Sequence, residues 1–223
     1  MNERKHCLLI CGGAFDEAFS KEYIKNQSFD FVVAVDRGLV YADQIGCSVD
    51  LILGDFDSVK AEVLDSYKSA GNEKKRPRIV KLNPQKDMTD TEEAIDVALS
   101  EGATEITILG ATGRRLDHLL ANINLLMKPL KKSVKACILD KNNRVYLRNT
   151  DFSIKRSDLF GKYVSLIPLT SEVSGVTLEG FQYPLNDYTL TIGNSLGVSN
   201  EIIQEEAHVS FRDGTLIVIE SRD

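Results

Sequence analysis

Asp55 and Asp57 stand two residues apart in the segment DLILGDFDS, directly after the apolar run Leu51-Ile52-Leu53 and Gly54. Side chains two apart on an extended chain point the same way, so the two carboxylates would converge. Close carboxylates repel; they persist when water solvates them, when one is protonated, or when a cation lies between them. Asp87 and Asp90 follow in the segment KDMTDTEEA. With Asp55 and Asp57 they could supply oxygen ligands to Mg²⁺, which takes a few carboxylates plus waters and substrate phosphates. The same residues also suit local roles. Asp57 and Ser58 could cap a following helix. Thr89-Asp90-Thr91-Glu92 fits a capping box ahead of a helix with Ile95, Ala98 and Leu99 as its apolar stripe. Asp36, after Val32-Val33-Ala34-Val35, can be a ligand, a ribose contact or a turn former.

A second chemistry lies in Gly110-Ala111-Thr112-Gly113-Arg114-Arg115, between the run Ile106-Thr107-Ile108-Leu109 and a helical pattern. A glycine loop entering a helix offers backbone N–H groups to phosphate, and Arg114 and Arg115 add fixed cations. The loop lacks Gly-Lys-Ser/Thr of a Walker sequence and is not a dinucleotide fingerprint, so an ordinary tight turn remains open. Leu116, Leu119, Leu120, Ile123 and Met127 are expected on the inward face of the helix. Arg115, His118 and Asn122 recur on another side, either as a polar stripe along a site or as a solvated face.

These groups need a scaffold that gathers them. Apolar runs at 6 to 10, 31 to 35, 51 to 53, 79 to 82, 106 to 109 and 134 to 139 alternate with helical patterns, which predicts a mainly parallel α/β sheet over residues 1 to 140. Ligands of such sheets collect at the carboxyl ends of the strands. Nearly every predicted strand exit here carries glycine, a carboxylate or a base. From 141 to 223 short strands follow one another with turn signals such as Asn186-Asp187, Gly193-Asn194 and Asp213-Gly214, predicting an all-β sandwich. Gly197-Val198-Ser199-Asn200 interrupts that pattern as a polar loop.

The chain has 223 residues, 43% of them hydrophobic, enough for ordinary cores. Its 33 acids against 27 bases give a net charge of −6, which argues against a nucleic-acid or anionic-membrane surface. No apolar stretch approaches the roughly 20 residues needed to span a bilayer, and the first residues do not read as a signal peptide; a cytoplasmic protein is expected. Cys7, Cys11, Cys47 and Cys137 form no C-x-x-C pair and read as small apolar residues.

The segments GDFDS, KDMTDTEEA, GATGRRLDHLLANINLL and GVSNEI followed by GTLIVIES, in that order and spacing, resemble the thiamine pyrophosphokinase family. The resemblance implies an α/β nucleotide- and metal-binding domain and a β-sandwich that helps bind thiamine. It also implies a homodimer with each site shared between subunits. The implied reaction moves pyrophosphate from ATP to the hydroxyl of thiamine, with Mg²⁺ as cofactor and AMP released. By the same resemblance Asp36, Asp55, Asp57, Asp87 and Asp90 belong to an acidic cluster, with Asp55, Asp57, Asp87 and Asp90 catalytic and the first three on the metal. Asp36, Ser58, Thr89, Gly113, Arg114 and Arg115 would meet the nucleotide, and Asp117, His118, Ser199 and Asn200 the thiamine. Arg114 occupies a place where many relatives carry glycine, and the chain has no Trp to stack on substrate. Two other functions fit parts of the pattern. A phosphohydrolase with an Asp nucleophile uses Asp-x-Asp after a strand, and a noncatalytic nucleotide or vitamin binder would need the same pocket.

Overall fold

A computed structural model describes residues 4 to 56, 67, 76 to 83, 87 to 113 and 115 to 223. Asp57, Ser58 and Arg114 lie outside the described residues. The chain divides into two compact units, Met1–Lys141 and Asn142–Asp223.

In the first unit, β1 (His6–Ile10), β2 (Phe31–Val35), β3 (Leu51–Gly54), β4 (Arg78–Lys81), β5 (Glu105–Leu109) and β6 (Lys135–Leu139) form a parallel sheet in the order β6-β5-β1-β2-β3-β4. Every residue of β1, β2 and β3 is buried, the state of strands covered on both faces. Leu8, Leu9, Ile10, Ile52, Leu53 and Ile106 are fully enclosed; removing each from water stabilises the fold by roughly 1.5–3 kcal/mol. All four residues of the edge strand β4 are exposed.

The helices of the first unit include α1 (Glu17–Lys25), α2 (Gly38–Gln44), α3 (Asp90–Ser100), α4 (Leu116–Leu125) and α5 (Met127–Lys131). Asp16 caps α1 by accepting from the Phe19 N–H at 2.9 Å, and Thr89 caps α3 by accepting from the Glu92 N–H at 3.2 Å. The buried stripe of α3 is Ala94, Ile95 and Ala98, with Leu99 only half-buried. The expected inward stripe of α4 is wrong in two members. Leu116 and Leu120 are 68% and 61% exposed, whereas Asn122 is buried. Periodicity places the expected residues on one stripe, but it does not tell which edge of the stripe the fold turns inward. Asn122 faces inward where its side-chain N–H donates to the Ala111 carbonyl at 2.8 Å.

The second unit contains two antiparallel sheets. One has the order β12 (Asn200–Glu201), β9 (Tyr163–Pro168), β14 (Leu216–Ser221) and β7 (Asn143–Arg148). The other runs β11 (Leu185–Thr191), β10 (Glu172–Glu179), β13 (Glu206–Ser210) and β8 (Phe152–Lys155). In β14, Leu216, Val218 and Glu220 are buried and alternate with half-buried Ile217, Ile219 and Ser221. Glu220 is only 1% exposed. It accepts from Arg144 at 2.5 and 3.2 Å, from Tyr146 Oη at 2.9 Å and from the Phe160 N–H at 2.9 Å. A buried carboxylate is tolerable because these four donations replace its hydration.

Candidate active site

From β1 to β4 the first unit's sheet grows in one direction; β5 then returns to the other side of β1. The reversal leaves a crevice at the carboxyl ends of β1 and β5, where ligands of open α/β sheets bind. A cavity of about 770 Å³ lies there. Its walls come from the loops after β1, β2 and β5, the start of α3, and α4.

Two glycine loops form the floor. The Gly13 N–H donates to the Gly110 carbonyl at 2.7 Å, and the Ala14 N–H to the Thr112 carbonyl at 2.6 Å. A Cβ on Gly13 would stand 2.2 Å from the Thr112 carbonyl oxygen, so only glycine lets the loops approach this closely. Beside them α4 turns Arg115, His118, Leu119 and Asn122 toward the cavity, so the proposed polar stripe lines this space.

The carboxylates gather on another side. Asp36, at the end of β2, holds a left-handed backbone with φ 47°. Its N–H donates to the Leu53 carbonyl at 2.9 Å, which ties it to β3. Gly54 passes directly beneath, where a Cβ would meet Asp36 Oδ1 at 1.9 Å. Burial, the hydrogen bond and charge of Asp90, and then the charge of Asp55 push the Asp36 carboxyl up to about 7. Residues from three strand exits, Asp36, Asp55 and Asp90, therefore meet electrostatically.

A divalent cation suits this cluster. Asp36 Oδ1 is buried and lacks a hydrogen-bond partner among the described residues, and such an oxygen beside further carboxylates is costly unless a proton or a cation reaches it. Among the described residues no group of three or more His, Cys, Asp or Glu completes a metal site by itself. Mg²⁺ needs few protein ligands when phosphates and waters fill the rest of its shell. Cys11 also lines the cavity, but burial pushes its thiol up to about 12, which leaves no thiolate for chemistry near neutral pH.

The other candidates fall differently. Asp87 is exposed and outside the cavity lining; Thr89 and Gly113 line it. Asp117 is also outside the lining: it accepts from Arg115 at 2.5 and 3.2 Å, and that contact holds its carboxyl down at about 2. In the second unit, Asn200 is buried and its amide is engaged with backbone. It accepts from the Tyr183 and Glu201 N–H groups at 3.0 and 2.9 Å and donates to the Tyr183 carbonyl at 2.8 Å. Ser199 is exposed, with φ 56°. Sequence reasoning missed Phe15, Arg37 and Tyr41 as cavity residues. The sole sequence signal for them was their position just beyond strand exits.

Residues 21–138 match the model of the thiamin pyrophosphokinase catalytic domain, and residues 149–216 the model of the thiamin pyrophosphokinase vitamin B1 binding domain. The chain belongs to the thiamine pyrophosphokinase family. It is 36% identical to the thiamine pyrophosphokinase of Bacillus subtilis over 86% of this chain and 87% of that protein. A crystal structure of the Bacillus subtilis thiamine pyrophosphokinase superposes with a TM-score of 0.85 at 31% identity, covering 98% of this chain and 100% of the other. A thiamin pyrophosphokinase structure from Geobacillus thermodenitrificans gives a TM-score of 0.83 at 32% identity, covering 98% of both chains. The chain is therefore an enzyme, a diphosphotransferase of the thiamine pyrophosphokinase type.

Proposed function

We propose that the chain transfers pyrophosphate from ATP to the hydroxyl of thiamine, giving thiamine diphosphate and AMP. The observation that carries this reading is the switch-point cavity, with a double glycine loop and Arg115 on one side and the Asp36–Asp55–Asp90 cluster on another. The glycine loops allow close approach of a phosphate to their backbone, and Arg115 at the start of α4 adds positive charge. The carboxylates suit both a divalent cation and thiamine's permanent positive charge.

Asp55 and Asp57 would hold Mg²⁺, helped by Asp87 or Asp90, with Asp36 close to Asp55 and Asp90. The ion, when bound, supplies neutralisation of the polyphosphate charge and helps set the β-phosphorus in line with the attacking oxygen. The chain's own part is positioning. The interlocked Gly13 and Gly110 loops fix the phosphates, with Thr89 and Gly113 beside them and Ser58 and Arg114 from the adjoining segments. Arg115 borders the nucleotide and His118 and Asp117 the thiamine, while Asp117 also holds Arg115 in place. Asn200, clamped on the Tyr183 backbone, and Ser199, whose N–H donates to Ser165 Oγ at 3.0 Å, would meet the aminopyrimidine ring.

The working form is a homodimer in the cytoplasm, each site combining one subunit's first domain with its partner's second. Two features support this. The cavity described above is lined by first-unit residues alone, while the second unit carries exposed Tyr183, Ile192, Leu196, Val198 and Ile203. Among the described residues no helix is long and apolar enough to cross a membrane. The phosphohydrolase and noncatalytic readings gain nothing from the comparisons, and Asp55 follows the third strand of the sheet rather than the first.

The test is to incubate pure protein with ATP, thiamine and Mg²⁺ and to follow AMP and thiamine diphosphate, leaving out thiamine and metal in turn. Equimolar formation of both products, dependent on each component, is expected; phosphate release without thiamine would refute the reading. Asp57→Asn should lower kcat even at saturating Mg²⁺, and light scattering should report a dimer.

A further inference from the structure

One wall of the cavity carries aromatic rings with no role in the chemistry above. Phe15 and Tyr41 stack with centroids 4.7 Å apart and planes inclined by 6°. Both line the cavity and both are only half-buried, so the pair is not part of the apolar core. Arg37 sets its guanidinium carbon 5.7 Å from the centre of the Tyr41 ring. The Tyr41 hydroxyl donates to the Gly13 carbonyl at 3.1 Å. Phe15 itself follows Gly13 and Ala14, whose N–H groups are pinned to the loop after β5. The rings are thereby held at a set distance from the two loops assigned to phosphate.

We infer that Phe15, backed by Tyr41 and Arg37, is the platform on which the base of the nucleotide stacks. The inference rests on the activity proposed above and assigns a subsite within it. Geometry supplies the first reason: a ligand whose phosphates lie on Gly12-Gly13 and Gly110–Gly113 has its other end free to reach a ring two residues away from that loop. Charge supplies the second. Two flat heterocycles are substrates of the reaction, a neutral purine attached to phosphates and a permanently cationic thiamine. A guanidinium beside the platform repels the cationic thiamine and favours the ligand that carries the polyanion. The aromatic wall therefore suits the nucleotide. Stacking uses the face of a base rather than its edges, so this contact contributes affinity with little readout of which base is present.

Steady-state kinetics of the full chain test this. Phe15→Ala should raise the KM for ATP roughly 5- to 150-fold, the range expected when a base loses its aromatic partner, and leave the KM for thiamine unchanged. Inhibition by tripolyphosphate, which has the phosphates and no base, should be unaltered. Phe15→Trp should retain ATP affinity. If Phe15→Ala fails to fold, Phe15→Leu keeps the bulk without the ring and should show the same selective loss. An unchanged KM for ATP in both variants, an increase confined to thiamine, or an equal weakening of tripolyphosphate would overturn the assignment. Should the wild type make no thiamine diphosphate, the activity reading fails instead. The platform is then judged by calorimetry with ADP and Mg²⁺: weaker binding to Phe15→Ala upholds it, and equal binding removes it.

Discussion

Gly54→Ala puts the geometry of the acidic cluster to a direct test. The new methyl would lie 1.9 Å from Asp36 Oδ1 and 2.8 Å from Asp36 Cγ, against a limit of 3.0 Å that real Cβ contacts essentially never breach. Gly54 also has φ 155°, which side-chain-bearing residues rarely adopt. Something must move by about 1 Å, and the Asp36 carboxylate is the mobile element, because the Asp36 backbone is held to Leu53. Backbone strain of about 1–3 kcal/mol and local overpacking of about 1–2 kcal/mol together lower stability. Urea unfolding followed by circular dichroism reads the sum. A carboxylate displaced on the order of 1 Å should also lower kcat by about 100-fold. The decisive comparison is a double-mutant cycle. In an Asp36→Ala background the clash with Oδ1 is gone while the φ strain remains, so Gly54→Ala should cost about 1–2 kcal/mol less than in the wild type. Equal costs in the two backgrounds, or wild-type activity in Gly54→Ala, would refute the placement of Asp36 over Gly54.

Other perturbations probe separate parts of the molecule. Glu220→Ala leaves Arg144 and Tyr146 without their shared acceptor; a loss of about 2–4 kcal/mol is expected, with Glu220→Gln milder, and a change below about 0.5 kcal/mol in urea unfolding would contradict the buried network. Asn122→Ala removes the donor to the Ala111 carbonyl and should lower the urea midpoint by the equivalent of about 1–3 kcal/mol. His6 is 3% exposed, and burial, opposed by the charge of Glu105, holds its imidazole below the ordinary 6.5. The unfolded chain therefore takes up this proton first as pH falls. The contribution of neutral His6 is complete above 6.5 and declines below it, by up to about 1.4 kcal/mol per pH unit. His6→Gln should flatten the difference between urea midpoints at pH 7.5 and 5.5; an undiminished difference would assign the acid sensitivity elsewhere.

The alternation of apolar runs and helical patterns made the parallel sheet of the first unit legible, because central parallel strands such as Phe31–Val35 are apolar at every position. The β-rich second part was legible from closely spaced turn signals. Strand ends were less so: β12 is only Asn200–Glu201, held by pairing with Val164 and Tyr163 on another strand. Residues at strand exits could be named as candidates because a parallel sheet sends all its carboxyl ends to one edge. Thr89 illustrates a residue with two compatible readings, since it caps α3 and also lines the cavity.

The linear order of residues thus determined the family, the two-part architecture and the strand exits that carry Asp36, Asp55 and Asp90. It did not determine that Leu116 and Leu120 face outward while Asn122 faces in, because an apolar stripe does not name what packs on it, and the bond from Asn122 to the Ala111 carbonyl turns that side of the helix inward. Nor did it show that Gly54 lies against Asp36, or that Phe15 stacks on Tyr41 beside Arg37. The Gly54–Asp36 and Phe15–Tyr41 contacts join residues 18 and 26 apart, and a chain's local pattern records which way a side chain points without recording what the fold brings to meet it.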